Sequence, residues 1–301
     1  MNESQEICGV KNRQIKHCEQ LEVFPGIEIE FDSYAGDSVQ IRHEAFDYVL
    51  EINHCREGRI GWEMKSGEAV YLGKGDICIH SMDVCSVSNL TLPLKAYEGL
   101  TIYIDLKALE KSCPDILKEA GFDAKDIYRK FCVGGNTVAV PANSRIDTAL
   151  TPLYDVYEEM FVPYCKLQTQ EVLMFLVVMD RDKEKNLTRC VSAQAEQVKQ
   201  IHDFLVENAD KRFTIEELSR KYLINTSSLK SVFKMIYGMP VAAYMKDYRM
   251  KKAMKMLRET DDSVAEIAER VGYGTQGKFT KAFKESVKAL PTEYRKMYRK
   301  Q

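Results

Sequence analysis

Thr214-Ile-Glu-Glu-Leu-Ser-Arg-Lys-Tyr222 is followed by a polar break, Asn225-Thr-Ser-Ser228, and then Leu229-Lys-Ser-Val-Phe-Lys234. Gly238, Pro240 and Tyr244 complete the pattern. It returns as Ser263-Val-Ala-Glu-Ile-Ala-Glu-Arg-Val-Gly-Tyr273, a break, Lys278-Phe-Thr-Lys-Ala-Phe-Lys284, Pro291 and Tyr294. Phe233 recurs as Phe283 and Tyr244 as Tyr294 at one common offset. Leu218 recurs as Ile267 one residue sooner, so the second turn holds one extra residue. Each copy reads as two short amphipathic helices with a tight turn. That unit lays its second helix in the major groove of DNA. Two units in one chain can read two successive grooves without dimerising.

Capping chemistry marks the helix starts. Thr214 with Glu217, and Ser263 with Glu266, have the spacing of a capping box. In the first unit Ile215, Leu218 and Tyr222 form an apolar stripe. The second helix buries Leu229, Val232, Phe233 and Ile236 and shows Ser227, Lys230, Ser231 and Lys234 on its other face. In the second unit Phe279, Ala282 and Phe283 face inward, while Gln276, Gly277, Lys278, Lys281 and Lys284 face out. Met239 to Leu257 reads as a long helix holding the units at fixed spacing.

Charge agrees with a nucleic-acid partner. The 301-residue chain is near neutral, with 43 Lys+Arg against 45 Asp+Glu. From Ser192 onward there are 22 basic and 14 acidic residues, leaving an acidic first part. A basic domain joined to an acidic one is the footprint of a DNA-binding module that carries something else. A solvated helix face explains a charge run alone; it does not explain the repeat.

The length implies two domains. The longest apolar run, Val172 to Met179, is too short to span a bilayer. Met1 to Lys16 is polar and lacks the apolar centre of a secretory signal, so a cytoplasmic protein is expected. The nine cysteines are odd in number, form no CxxC pair and are absent from the basic part. They read as reduced thiols, mostly buried as small hydrophobes. A redox-sensing role for one of them stays open.

Residues 20–105 alternate apolar and polar with frequent glycine turns. Gly26-Ile-Glu-Ile-Glu-Phe31, Tyr48 to His54, Gly61-Trp-Glu-Met-Lys65, Ala69 to Leu72, Ile77 to His80 and Glu98 to Asp105 are the strands. Such strands make a small sandwich or barrel. Helices are expected at Leu106–Ala120, interrupted at Pro114, at Asn143–Met160 and at Lys166–Asp182. The last of these either packs on the barrel or forms a dimer seam. Residues 183–192 read as a linker and 193–301 as the DNA-binding domain, with helix-turn-helix units at 214–237 and 263–285.

The C-terminal pattern resembles the DNA-binding domain of the AraC/XylS regulators. The matching residues are Leu218-Ser219, Phe233-Lys234, Gly238, Pro240, Tyr244, Arg249, Ala253 and Leu257. They continue with Ser263, Ile267-Ala268, Val271-Gly272-Tyr273, Phe279, Phe283-Lys284, Pro291 and Tyr294-Arg295. Lys288 stands where such proteins commonly have glycine, so a different helix end is expected there. Lys281 stands for an arginine, which weakens bidentate guanine reading. The resemblance implies base contacts by Ser227, Lys230, Ser231, Gln276, Lys278 and Lys281. It implies phosphate contacts by Lys234, Lys284 and the capping hydroxyls of Thr226 and Thr275. Plain solvation is the alternative for each lysine.

Tyr48 to His80 resembles, more weakly, the cupin-like barrel that precedes this module in many such regulators and senses a small molecule, often a sugar. The resemblance thus implies an α+β chain: residues 1–182 as a cupin-like effector-binding barrel with a helical dimerisation segment, then an all-α double helix-turn-helix domain. Expected partners are double-stranded DNA, a small-molecule effector, a second copy of the chain and RNA polymerase, and the expected role is that of an activator. Tyr48, His54, Trp62 and His80 on the strands suit stacking and hydrogen bonding to a ligand, with core packing as the alternative. No cofactor and no metal are expected, because His43, His54 and His80 are scattered and no HxH occurs. That weighs against a rival reading, a metal-dependent cupin enzyme tethered to DNA. A purely architectural DNA-binding protein leaves the whole N-terminal part unexplained.

Overall fold

The computed structural model describes residues 19–42, 46–64, 66–82, 87–133, 137–142, 148–180 and 187–299. His43 lies outside the described residues. The chain divides into two compact units, Met1–Val191 and Ser192–Gln301.

The first unit is built on strands β1 (Glu19–Phe24), β2 (Ile27–Ala35), β3 (Ser38–Arg42), β4 (Val49–Gly58), β5 (Ile60–Glu63) and β6 (Glu68–Leu72). It continues with β7 (Ile77–Ser81), β8 (Val87–Thr91), β9 (Ala96–Asp105), β10 (Val138–Val140) and β11 (Cys190–Val191). A six-stranded sheet runs β1-β2-β9-β4-β7-β10 and a five-stranded one β11-β6-β5-β8-β3. Every ladder is antiparallel. The two ladders stay separate, so the barrel-like region is two sheets rather than a closed cylinder.

The six-stranded sheet is covered on both faces. Ile27, Ile29, Phe31, Leu50, Ile52, Ile77, Ile79, Leu100, Ile102 and Ile104 point to a core shared with the helices. Cys55, Cys78, Tyr97 and Ala139 point the other way and meet Ile60, Trp62, Val70, Leu72 and Leu90 of the second sheet. The charged positions of β2, Glu28 and Glu30, alternate with its residues in the core shared with the helices and are half-buried on the opposite face.

Helices α1 (Leu106–Ser112), α2 (Asp115–Glu119), α3 (Ala124–Phe131) and α4 (Phe161–Val178) supply the outer layer. Pro114 separates α1 from α2, as its missing N–H dictates. The single helix expected over 143–160 is not continuous in its described part: residues 148–150 are helical, and the helix stops there. Thr151–Tyr154 and Glu158–Met160 are short 3-10 turns, and Pro152 sits in the first of them. α4 begins earlier than Lys166 because Pro163 is tolerated in a first turn, where its absent N–H has no partner to lose. It buries Leu173 and Leu176 in the main core and exposes Leu167 and Val178. Leu173 and Leu176 thus pack inside the unit and do not form a dimer seam.

The second unit is all helical: α5 (Ser192–Glu207), α6 (Ile215–Tyr222), α7 (Thr226–Tyr237), α8 (Val241–Glu259), α9 (Val264–Arg270), α10 (Gln276–Val287) and α11 (Pro291–Tyr298). The segment read as a linker falls partly outside the described residues. Its described end is strand β11, paired with β6, and the start of α5. No helix among the described residues is long and apolar enough to cross a membrane.

The burial of α4 sets an expected outcome. Leu173→Ala should destabilise the full chain by about 2–5 kcal/mol in urea unfolding, through lost burial and a cavity. Leu167→Ala, on the exposed face, should stay within about 0.5 kcal/mol.

Candidate nucleic-acid interface

Each recognition helix is set by a preceding cap and an apolar face. The Thr214 hydroxyl accepts from the Glu217 N–H at 3.2 Å, and the Glu217 carboxylate accepts from the Thr214 N–H at 2.7 Å. Ser263 and Glu266 repeat both distances. The backbone N–H of Thr214, and that of Ser263, hold these two carboxyls below their ordinary value of 4.5. Because folding lowers both values, the clamps are complete above the ordinary range and are lost as pH falls through the folded values.

Asn225 caps α7, its side-chain oxygen accepting from the Ser227 N–H at 2.7 Å. Thr226 is the first residue of the helix, so it does not supply the capping hydroxyl expected of it. The asparagine carbonyl reaches the N–H two residues on without distorting the turn. Thr275 does cap α10, accepting from the Lys278 N–H at 3.3 Å.

Leu229, Val232, Phe233 and Ile236 of α7 and Phe279 and Phe283 of α10 are buried. Ser227, Lys230, Ser231 and Lys234 recur at one-turn spacing on the exposed side of α7. The Ser231 hydroxyl also donates to the Ser228 carbonyl at 3.1 Å. Gln276, Lys278, Lys281 and Lys284 are exposed on α10. An added Cβ at Gly277 would meet open space, so this surface can approach another body closely. Both helices end with a left-handed residue whose N–H bonds the carbonyl four back: Gly238 in α7 and Lys288 in α10. The different helix end expected at Lys288 is therefore absent; lysine takes the glycine conformation, at φ 62°.

α8, 19 residues and about 28 Å long, lies between the two helix-turn-helix motifs and packs against α7, α9, α10 and α11. Arg249, 9% exposed, donates from Nε to the Ala209 carbonyl at 2.8 Å and from Nη2 to the Lys211 carbonyl at 2.6 Å. Gly272 of the second turn has φ 75°, and a Cβ there would lie 2.7 Å from the Asp210 carbonyl oxygen. The corner at 209–211 is thus gripped by α8 and pressed by the turn of the second helix-turn-helix motif.

Sequence reading missed a cationic cleft of about 460 Å³ beside Lys230, walled by Arg212, Lys246, Arg249 and Tyr273. Arg212 stands 5.5 Å from the Tyr273 ring centre, and Lys246 pairs with Glu285 at 3.6 Å. No periodic signal marks Arg212 and Lys246, which come from a loop and from the first turns of α8.

In the first unit the four ligand candidates fall on two faces. Tyr48 stacks on Tyr128 at 3.9 Å, with Lys107 over its ring. His54 pairs across the ladders with Ile77 and Leu100, hence faces the helical core, and its Nδ1 is 2.9 Å from the Tyr154 hydroxyl. Burial pushes His54 down to about 4, so it is neutral. Trp62 and His80 lie together between the sheets, ring centres 6.1 Å apart. Beside them sit Glu51, Asn53, Asp32, Thr101, Glu30 and Tyr103, none of them singled out from sequence. His80 Nε2 is 3.0 Å from Asn53 Oδ1, and Asn53 Nδ2 donates to Glu51 at 2.8 Å and to Thr101 at 3.1 Å. Among the described residues no cluster of His, Cys, Asp and Glu could hold a metal ion. Burial, then Asp76, pushes the Cys55 thiol up to about 12, so it is inert as a thiolate.

A sequence-family profile described as "Helix-turn-helix domain" matches residues 218–297. The HTH-type transcriptional activator RhaR of Mannheimia succiniciproducens is 32% identical over 94 residues, 31% of this chain and 34% of that one. The chain thus spans about a third of that relative. An uncharacterized HTH-type transcriptional regulator of Haemophilus influenzae is 22% identical over 276 residues, 85% of this chain and 90% of its own. Among solved structures, the C-terminal domain of AraT, a response regulator from Geobacillus stearothermophilus, is 27% identical with a TM-score of 0.34. It covers 35% of this chain and 88% of its own. The duplicated motif and the profile match make the second unit a helix-turn-helix domain.

Two substitutions test the local account. Gly272→Ala should cost about 1–3 kcal/mol through its left-handed backbone and the Asp210 contact. Lys288→Gly should raise stability by up to about 1 kcal/mol. Thermal unfolding of the chain reads both.

Proposed function

We propose that the chain is a cytoplasmic, sequence-specific transcription regulator that responds to a small molecule. The observation supporting this most is the pair of capped recognition helices, each burying aromatic residues and presenting polar residues and lysines outward. Ser227, Lys230, Ser231, Gln276, Lys278 and Lys281 read base edges; Thr226, Lys234, Thr275 and Lys284 hold phosphates. Arg212 and Lys246 extend the phosphate-holding surface beside Lys230. Relatives named as transcription regulators support a role that is not enzymatic. The name of the Mannheimia relative, an activator, supports activation here, with RNA polymerase as a partner.

The first unit is the sensor. Its pocket lies between the sheets at Trp62 and His80, and Tyr48 and His54 support it from the helix-packed face. The chain acts as a homodimer through this unit, and effector binding changes operator occupancy by coupling the two sites.

Residues 192–301 should fold alone and bind duplex DNA from the chain's own promoter region, with affinity falling steeply in salt through counterion release. Lys281→Ala should relax sequence preference by about 1–3 kcal/mol, whereas Lys284→Ala should weaken all sequences alike. Gel-shift titration on specific and scrambled duplexes reads both. Equal effects of the two variants on both duplexes would show that the helix face is misassigned.

A further inference from the structure

The inter-sheet space holds an unbalanced group of polar side chains. Cross-strand pairing places Glu28, Tyr103, Glu51 and His80 in one row and Glu30, Thr101 and Asn53 in the next. Asp32 follows, accepting from the Tyr34 hydroxyl at 2.5 Å. Asp32 and Glu51 are only 7% and 6% exposed. Glu51 Oε1 is held by Asn53, but Glu51 Oε2 is buried with no hydrogen-bond partner. His80 Nε2 lies 3.7 Å from that oxygen and points instead at Asn53. Across the gap Trp62, 6% exposed, carries a buried indole N–H with no acceptor.

A buried acceptor without a donor and a buried donor without an acceptor each lose their hydration with nothing in return. A bound molecule that satisfies both offsets that loss. Burial first, then Asp32, holds the Glu30 carboxyl above its usual range, with Glu51 and Glu28 adding to it. Among the described residues the cluster thus gathers carboxyl groups, and Glu51 Oε2 among them is the acceptor left without a donor. A carboxylate ligand is repelled here, and a neutral polyol leaves the charge unanswered.

We propose that this inter-sheet cluster takes a small organic ammonium compound bearing hydroxyl groups, the chemistry of an amino alcohol or amino sugar. The ammonium donates to Glu51 Oε2, a charge-assisted bond. A hydroxyl oxygen accepts from Trp62 Nε1. The indole face adds cation–π attraction. The proposal rests on the sensor reading above and names its ligand class.

Trp62 is the only tryptophan in the chain, so its emission reports this cluster directly. Full-length protein is titrated with ethanolamine, serinol, glucosamine and galactosamine, each against the neutral analogue in which hydroxyl replaces ammonium. At least one amine should shift the emission saturably and bind about tenfold or more tightly than its neutral analogue, the ratio expected for a hydrogen bond to a charged group. Glu51→Gln should weaken that amine about tenfold without changing the neutral analogue. Glu30→Gln, at a less buried position, should weaken it several-fold and serves if Glu51→Gln does not fold. A neutral analogue that binds as well as its amine overturns the ammonium class and leaves the sensor reading standing. Amine affinity unmoved by either variant also overturns the class. Emission that no compound in either set alters overturns the class and the inter-sheet pocket together.

Discussion

The DNA-binding unit depends on how Arg249 is buried. Its guanidinium is spent on two backbone carbonyls of the corner at 209–211, a fork that a lysine cannot reproduce. Burial first, then the neighbouring Arg212, lowers the guanidinium's proton affinity, and Tyr273 and Asp210 offset part of that. The same corner receives Gly272, whose missing Cβ lets the second unit's turn lie against the Asp210 carbonyl. One arginine and one glycine therefore tie the segment after α5, α8 and the turn of the second helix-turn-helix motif together. Given that tie, α7 and α10 keep a fixed spacing, which reading two grooves from one chain requires.

In the first unit the constraint is of another kind. A sheet covered on both faces has no wet side, so every polar residue on its inner face needs a partner or a ligand. Asn53 and Thr101 meet that demand with hydrogen bonds. Glu51 Oε2 and Trp62 Nε1 do not. The same coverage explains why the buried faces differ: one is aliphatic against α4 and the helical turns, the other turns polar at one end.

Much of the DNA-binding unit is legible in the sequence because its signals are local. Capping boxes, the glycine stop at Gly238 and the recurrence of Phe233 as Phe283 lie within a few residues of the helices they set. Arg249 and Gly272 stand out as parts of a spaced pattern, although their meeting at 209–211 is tertiary. The strand-rich unit is less legible. Alternation along Gly26–Phe31 gives the strand, but it cannot distinguish a charged face in water from one under a second sheet. That ambiguity hid Glu30, Asp32, Glu51 and Asn53, and it put Tyr48 and His54 with Trp62. The helix expected over 143–160 is broken by Pro152, and the apolar run at 172–179 gave no sign of which neighbour it covers. Core packing settles that for Leu173 and Leu176.

The central claim is that one copy of residues 192–301 places two recognition helices in successive major grooves. Hydroxyl-radical footprinting of that fragment on its promoter DNA, with its monomeric state confirmed by sedimentation, tests this directly. The account predicts two protected segments on one face of the duplex, about 10 base pairs apart, with the distal one lost on Lys278→Ala and Lys281→Ala together. A single protected segment, or two that appear only when the fragment dimerises, would contradict it.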